Sequence, residues 1–128
     1  MSALNISAST IRLYHNPGCS KSRGALELLT SVAQRDNLQL DVIEYLKDPL
    51  DQSELLELLA LLPDEPVALV RSDKNFKALG LDIADYGTPE AISKLLVAHP
   101  ELMQRPIALF NNAAAIGRPP ENLENLFS

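Results

Sequence analysis

Ile11-Arg12-Leu13-Tyr14-His15-Asn16-Pro17-Gly18-Cys19-Ser20-Lys21-Ser22-Arg23 is the stretch that decides the fold. Its first five residues are short and β-prone, and Asn16-Pro17-Gly18 then breaks the strand with a turn. From Ser20 the pattern becomes helical, because Ala25, Leu28, Leu29 and Val32 recur at spacings of three and four and make one apolar face. Residues 40–46 alternate apolar and acidic side chains, as a second strand does. Strand, helix and strand of these lengths form a βαβ unit, whose right-handed crossover brings the two strands parallel.

Downstream, Asp48-Pro49-Leu50-Asp51 is a loop that caps the next helix. Leu55, Leu56, Leu58, Leu59 and Leu62 are its expected buried face, and Pro63 ends it. Residues 65–79 read as short helical pieces broken near Ser72-Asp73. Thr88 is placed to cap a helix with Pro89 at its first position. Ile92, Leu95, Leu96 and Val97 are its apolar stripe, and His99-Pro100 closes it. Residues 106–110 are strand-like, and Asn111-Asn112 suits a turn because asparagine tolerates positive φ. Residues 113–116 then complete a hairpin, and Gly117-Arg118-Pro119-Pro120 leads into an amphipathic helix over 121–127. There is no internal repeat or low-complexity tract. Residues 1–10 are expected to be a flexible lead and residues 11–128 one domain. A parallel βαβ half joined to an antiparallel ββα half by an inserted helical region is an α/β arrangement of the thioredoxin-like type.

Composition narrows the chemistry. The 128 residues suit one domain, and 46% are hydrophobic, enough for an ordinary core. A formal charge of −6 argues against nucleic acid or an anionic membrane as partner, since both reward a basic surface. It leaves open a small anionic substrate held by a few clustered arginines. The single cysteine rules out an internal disulfide and with it a disulfide-stapled secreted scaffold. No apolar run reaches membrane-spanning length, and residues 1–10 lack the basic and apolar regions of a signal peptide. The expectation is a soluble, cytoplasmic monomer.

Cys19 falls where a strand meets a helix. Free backbone N–H groups and the helix dipole favour an anion there. His15, Lys21 and Arg23 lie within a few residues, and such electropositive settings mark reactive cysteines. A structural cysteine would sit on the apolar stripe of the helix, but Cys19 stands among Pro, Gly, Ser, Lys and Arg. The same helix start suits an oxyanion beside the sulfur. Position 22 is Ser rather than Cys, so any oxidised intermediate is resolved by an outside thiol. Ser22 is placed either to donate a hydrogen bond to the sulfur or simply to begin the helix. Arg71, Arg105 and Arg118 stand in semi-apolar or turn contexts, and the planar arginine fork suits tetrahedral oxyanions. For any one of them taken alone, a surface ion pair with this acidic chain is the better explanation. His and Cys lack the spacing of a metal site, and no phosphate-binding glycine loop is present.

The run from Tyr14 to Arg23 resembles the active-site signature Tyr-His-Asn-Pro-x-Cys-x-x-Ser-Arg of the glutaredoxin-coupled arsenate reductases. Four further segments resemble that family: Glu44-Tyr45-Leu46 with Pro49, Val70-Arg71 with Leu79-Gly80-Leu81, His99-Pro100 with Arg105-Pro106-Ile107, and Gly117-Arg118-Pro119-Pro120-Glu121. The likeness runs over residues 11–127 and is closer to a subgroup of chromosomal relatives than to the resistance-operon enzymes. It implies that Cys19 attacks arsenate, that glutathione is the co-substrate, and that glutaredoxin is a transient partner, with no bound cofactor. It also implies that Arg71, Arg105 and Arg118 bind the oxyanion, that His15 lowers the thiol pKa, and that the Arg105–Pro106 bond is cis. Two other readings compete. One is a redox-regulatory protein that binds RNA polymerase, whose relatives carry Cys-x-x-Cys where this chain has Ser22. The other is a monothiol oxidoreductase acting on glutathione mixed disulfides, for which three extra arginines have little purpose.

Overall fold

A computed structural model describes Leu4 and residues 6–127 of the chain. β1 (Thr10–His15), α1 (Ser20–Asp36) and β2 (Gln39–Glu44) make the βαβ unit. The strands pair in parallel from Thr10 opposite Gln39 to His15 opposite Glu44. α1 ends where Asn37 turns left-handed, at φ 54°, and Leu38 N–H closes onto the Ala33 carbonyl at 2.8 Å. β2 stops at Glu44, two residues before the expected end. The N–H groups of Lys47 and Asp48 both return to the Glu44 carbonyl, which turns the chain. Tyr45 is thereby buried while Leu46 remains exposed.

α2 (Gln52–Leu61) opens on a capping box. Asp51 Oδ1 accepts from Glu54 N–H at 2.8 Å, and Glu54 Oε1 accepts from Asp51 N–H at 3.0 Å. Leu62 is already extended because Pro63 follows it. The inserted region consists of a 3₁₀ turn (Pro66–Leu69), α3 (Lys74–Ala78), and a second 3₁₀ turn (Ile83–Asp85). α4 (Pro89–Ala98) begins as expected, with Thr88 Oγ1 accepting from Ala91 N–H at 3.2 Å. Its stripe differs from expectation at one position: Val97 is 46% exposed, and Ser93 is buried instead. The Ser93 hydroxyl is satisfied by donating to the Glu90 carbonyl.

β3 (Ile107–Phe110) and β4 (Ala113–Ile116) form the hairpin. Asn111 and Asn112 make its turn at φ 51° and 61°. β3 lies antiparallel to β1, so the sheet order is β2-β1-β3-β4. The last segment, Pro120–Phe127, is a 3₁₀ helix opened by Asn122 N–H bonding the Pro119 carbonyl, three residues back. Leu123 is its buried anchor. Of the lead expected over residues 1–10, residues 1–3 and 5 lie outside the described ones. Leu4 is buried, its carbonyl accepts from Arg12 Nη1 at 3.0 Å, and Thr10 already belongs to β1.

The period of two along β1 divides the interior. Ile11 and Leu13 pack with Ala25, Leu29, Val32 and Leu123 on the α1 side. Tyr14 faces the other way, into the larger core of α2, α4 and the inserted region. Among the described residues no helix is long and apolar enough to cross a membrane.

Candidate active site

The carboxyl ends of parallel strands, beside the start of the helix between them, are where α/β sheets commonly bind ligands. Here those ends are His15 and Glu44, paired across the sheet. Asn16 builds the turn that follows. Its Oδ1 accepts from Gly18 N–H at 3.0 Å, and its carbonyl accepts from Cys19 N–H at 3.0 Å. Cys19 is thus left extended as the N-cap of α1, with φ −104° and ψ 125°. It is half-buried and unpaired.

Burial pushes the Cys19 thiol pKa up, but three groups outweigh it. These are the Ser22 N–H, the Arg105 guanidinium and the Lys21 N–H, and the net shift is downward. Arg118 closes the other side: its Nε donates to the Arg105 carbonyl at 2.8 Å, and its Nη2 stands 4.0 Å from Cys19 Sγ. The Arg105–Pro106 peptide bond is cis. Arg105 Nε is buried and has no hydrogen-bond partner among the described residues.

Arg71 is tied by a backbone clip to the segment that carries Arg105, and its charge acts on the Tyr45 hydroxyl rather than on the Cys19 sulfur. Val70 bridges Met103, Arg71 N–H donates to the Leu102 carbonyl, and Gln104 N–H donates to the Leu69 carbonyl, both at 2.7 Å. The clip holds the inserted region against the segment that carries Arg105. Arg71 pairs with Asp73 at 3.4 Å with both side chains partly exposed, an arrangement that constrains the guanidinium weakly.

The residues flanking Cys19 play different parts from those their charges suggest. Lys21 is exposed and acts on the sulfur through its backbone N–H. Arg23 is exposed and donates from Nη1 to the Pro17 carbonyl at 2.9 Å, bracing the turn. The buried Ser22 hydroxyl accepts from Asn16 N–H at 3.3 Å, while the Ser22 N–H serves the thiol. His15 is buried with Nδ1 unbonded. Burial lowers its pKa, Arg23 lowers it further, and Glu44 and the Ser22 backbone oppose the shift. His15 is therefore a neutral ring at neutral pH, and the positive charge beside Cys19 comes from Arg105 and Arg118.

Tyr45 is a site residue that the sequence pattern hides. Directly after β2, it reads as one more apolar residue of a strand. It is 1% exposed, and its hydroxyl makes no well-formed hydrogen bond among the described residues. Burial raises its pKa, while Arg105, Asn16 and Arg71, all near the hydroxyl, oppose that rise. The signal available in the sequence was its place, level with Asn16 at the carboxyl end of the parallel pair.

A half-exposed thiol at a helix start, with its pKa lowered and the Arg105 and Arg118 guanidinium groups near the sulfur, can hold a small tetrahedral oxyanion and attack its central atom. Among the described residues no cluster of three or more His, Cys, Asp or Glu could hold a metal ion.

Comparison with known proteins agrees with this geometry. The ArsC family model matches residues 14–126. The arsenate reductase of Neisseria meningitidis is 40% identical over 117 residues, spanning 89% of this chain and 95% of that protein. An arsenate reductase of Escherichia coli is 33% identical over 114 residues, spanning 88% of this chain and 77% of that protein. The solved structure of the arsenate reductase from Vibrio cholerae superposes with a TM-score of 0.74 at 34% identity, covering 92% of this chain and 98% of that one. The thioredoxin-like chain described here belongs to the ArsC family.

Proposed function

We propose that this protein reduces arsenate to arsenite, with Cys19 as nucleophile and glutathione and glutaredoxin as the external reductants. The observation that carries the reading is the placement of Cys19. Its thiol pKa is lowered at the start of α1, and Arg118 stands 4.0 Å from the sulfur. Electrostatic stabilisation of this kind is usually the largest contribution to catalysis on an anion.

The steps balance without an internal second thiol. The Cys19 thiolate forms a bond to arsenic(V), and one arsenate hydroxyl leaves as water after taking a proton from solvent. The thiol of glutathione then attacks Cys19 Sγ. The S–As bond breaks with its electron pair on arsenic, which becomes As(III) and departs as arsenite. The mixed disulfide between Cys19 and glutathione is opened by a glutaredoxin thiolate, which takes the glutathionyl group and restores Cys19. Arg71, Arg105 and Arg118 hold the oxyanion through the first two steps. A reaction driven by glutathione belongs in a reducing compartment, which for this protein is the cytoplasm.

The test is a coupled assay with purified protein, glutathione, glutaredoxin, glutathione reductase and NADPH. Arsenate should produce NADPH consumption together with arsenite, and Cys19→Ser should abolish both. Turnover of a glutathione mixed disulfide with none of arsenate would overturn the reading in favour of a monothiol oxidoreductase.

A further inference from the structure

We propose that the hydroxyl of Tyr45 is a direct hydrogen-bond donor to the oxyanion bound beside Cys19. It rests on the reading that an oxyanion occupies that site, and it adds to the arginine cradle a neutral donor from a different part of the chain.

The argument starts from an apparent defect. Tyr45 is among the most completely buried side chains of the protein, and its ring belongs to the main core. Phenylalanine would fill the same space. The hydroxyl adds a polar atom that makes no well-formed hydrogen bond among the described residues, though Arg105 and Asn16 come near enough to act on it, and a buried hydroxyl so placed is incompletely satisfied. A second orphan belongs to a neighbouring residue, since Arg105 Nε is also buried and unpartnered. Arg105 faces both the Tyr45 hydroxyl and the Cys19 sulfur. Two incompletely satisfied buried polar atoms, on residues that meet at the guanidinium acting on Cys19, describe a place completed by an acceptor with several oxygens.

The surroundings decide what kind of acceptor. Tyr14 also has a buried hydroxyl without a partner, but that hydroxyl faces Arg12 together with the carboxylates of Glu54 and Asp41, a mixture that gives an anion no advantage. Around the Tyr45 hydroxyl the charged groups are Arg105 and Arg71, with Asn16 as a neutral neighbour. A phenol so placed accepts from a guanidinium or from the Asn16 amide and still has its own O–H to give. Since burial raises its pKa, it keeps that proton at neutral pH. The cations draw in the anion and hold its charge, and the phenol fixes one oxygen. The ring is fixed in the core, so this donor costs little side-chain entropy when the anion binds.

The experiment compares wild type with Tyr45→Phe, which removes only the hydroxyl. Cys19 is alkylated with iodoacetamide across a range of pH, alone and with increasing arsenate, phosphate or sulfate, and steady-state arsenate reduction is measured in parallel. The expected result has three parts. The pH profile of alkylation without anion stays unchanged. The concentration of arsenate or phosphate needed to protect Cys19 rises about ten- to a hundredfold, the loss of one hydrogen bond to a charged group. KM for arsenate rises by a similar factor while the thermal midpoint holds or increases. Unchanged protection in the variant would overturn the proposal alone and leave the arsenate reading standing. A pH profile that shifts in step with protection would also overturn it, because Tyr45 would then only position Arg105. Failure of all three anions to protect the wild-type thiol would overturn both readings.

Discussion

Arg105→Met separates the two tasks that the proposed function gives to one guanidinium, tuning the thiol and holding the substrate. Methionine keeps an apolar stem of similar length and loses the charge. Arg118 stays anchored, because its Nε bonds the Arg105 backbone carbonyl rather than the side chain. What Cys19 loses is a charge-assisted hydrogen bond, worth about 1.5–3 kcal/mol in general. The sulfur is half-exposed, so water screens part of that and the lower end applies. With a tenfold effect for about each 1.4 kcal/mol, the acid-dissociation constant of the variant's thiol should fall about tenfold, so its thiolate fraction at neutral pH drops. The assay is the rate of alkylation by iodoacetamide, a neutral reagent that reports thiolate alone, measured from mildly acidic to alkaline pH. The sign follows from the thiol's direction: Arg105 holds its pKa down, so removing the guanidinium moves ionisation to higher pH. Rates should therefore differ at neutral pH and converge in alkali, where both proteins are fully thiolate. Arsenate KM, measured at that alkaline pH, should remain raised about ten- to a hundredfold because the anion has lost a binding group. Equal alkylation at neutral pH would refute Arg105 as the thiol's stabiliser. An arsenate KM that recovers in alkali would refute it as a substrate ligand.

Further outcomes follow from the same structure. Gly117→Ala should lower stability by about 1–3 kcal/mol in urea unfolding through overpacking, because a Cβ there would stand 2.8 Å from Pro106 Cγ and 3.1 Å from Leu123 Cδ1. A midpoint equal to wild type would show that this corner can relax. Asp51→Ala should cost about 1 kcal/mol by removing the cap of α2, with arsenate turnover unaffected, as checked by thermal unfolding beside the coupled assay. The folded pKa of His15 lies below its ordinary value of 6.5, so the unfolded chain binds the proton more readily. His15 thus weakens the fold as pH drops through 6.5 toward its lower folded value. His15→Asn should flatten that part of the stability–pH curve, and an unchanged slope would show the ring titrating alike in both states.

Local chemistry was legible wherever the interacting groups are neighbours in the chain. Cys19 could be identified because the turn, the helix start and the amides of Lys21 and Ser22 all lie within a few residues of it. Thr88-Pro89 and Asn111-Asn112 announced a helix start and a hairpin turn for the same reason: the cap and the positive φ are properties of those residues. Alternation and helical spacing gave the order of strands and helices. Element ends were less visible. β2 stops at Glu44 because a turn closes on the Glu44 carbonyl, and the final segment is 3₁₀ although its spacing also suits an α-helix.

The amino-acid sequence by itself determined the candidate nucleophile, its lack of a partner thiol and the βαβ unit that presents it, because each depends on features within a short reach of chain. Only the tertiary structure decided where the charge comes from. The cations nearest to Cys19 in sequence, Lys21 and Arg23, lie on the exposed side of the helix start, one giving its amide to the sulfur and the other bracing Pro17. Arg105 and Arg118, far along the chain, reach the thiol because β3 pairs with β1 and carries the flanking segments to the carboxyl end of the parallel strands. Tyr45 became a site residue for the same reason, since its hydroxyl meets Arg105 and Arg71 only when the sheet and the Val70–Met103 clip bring three separate segments together.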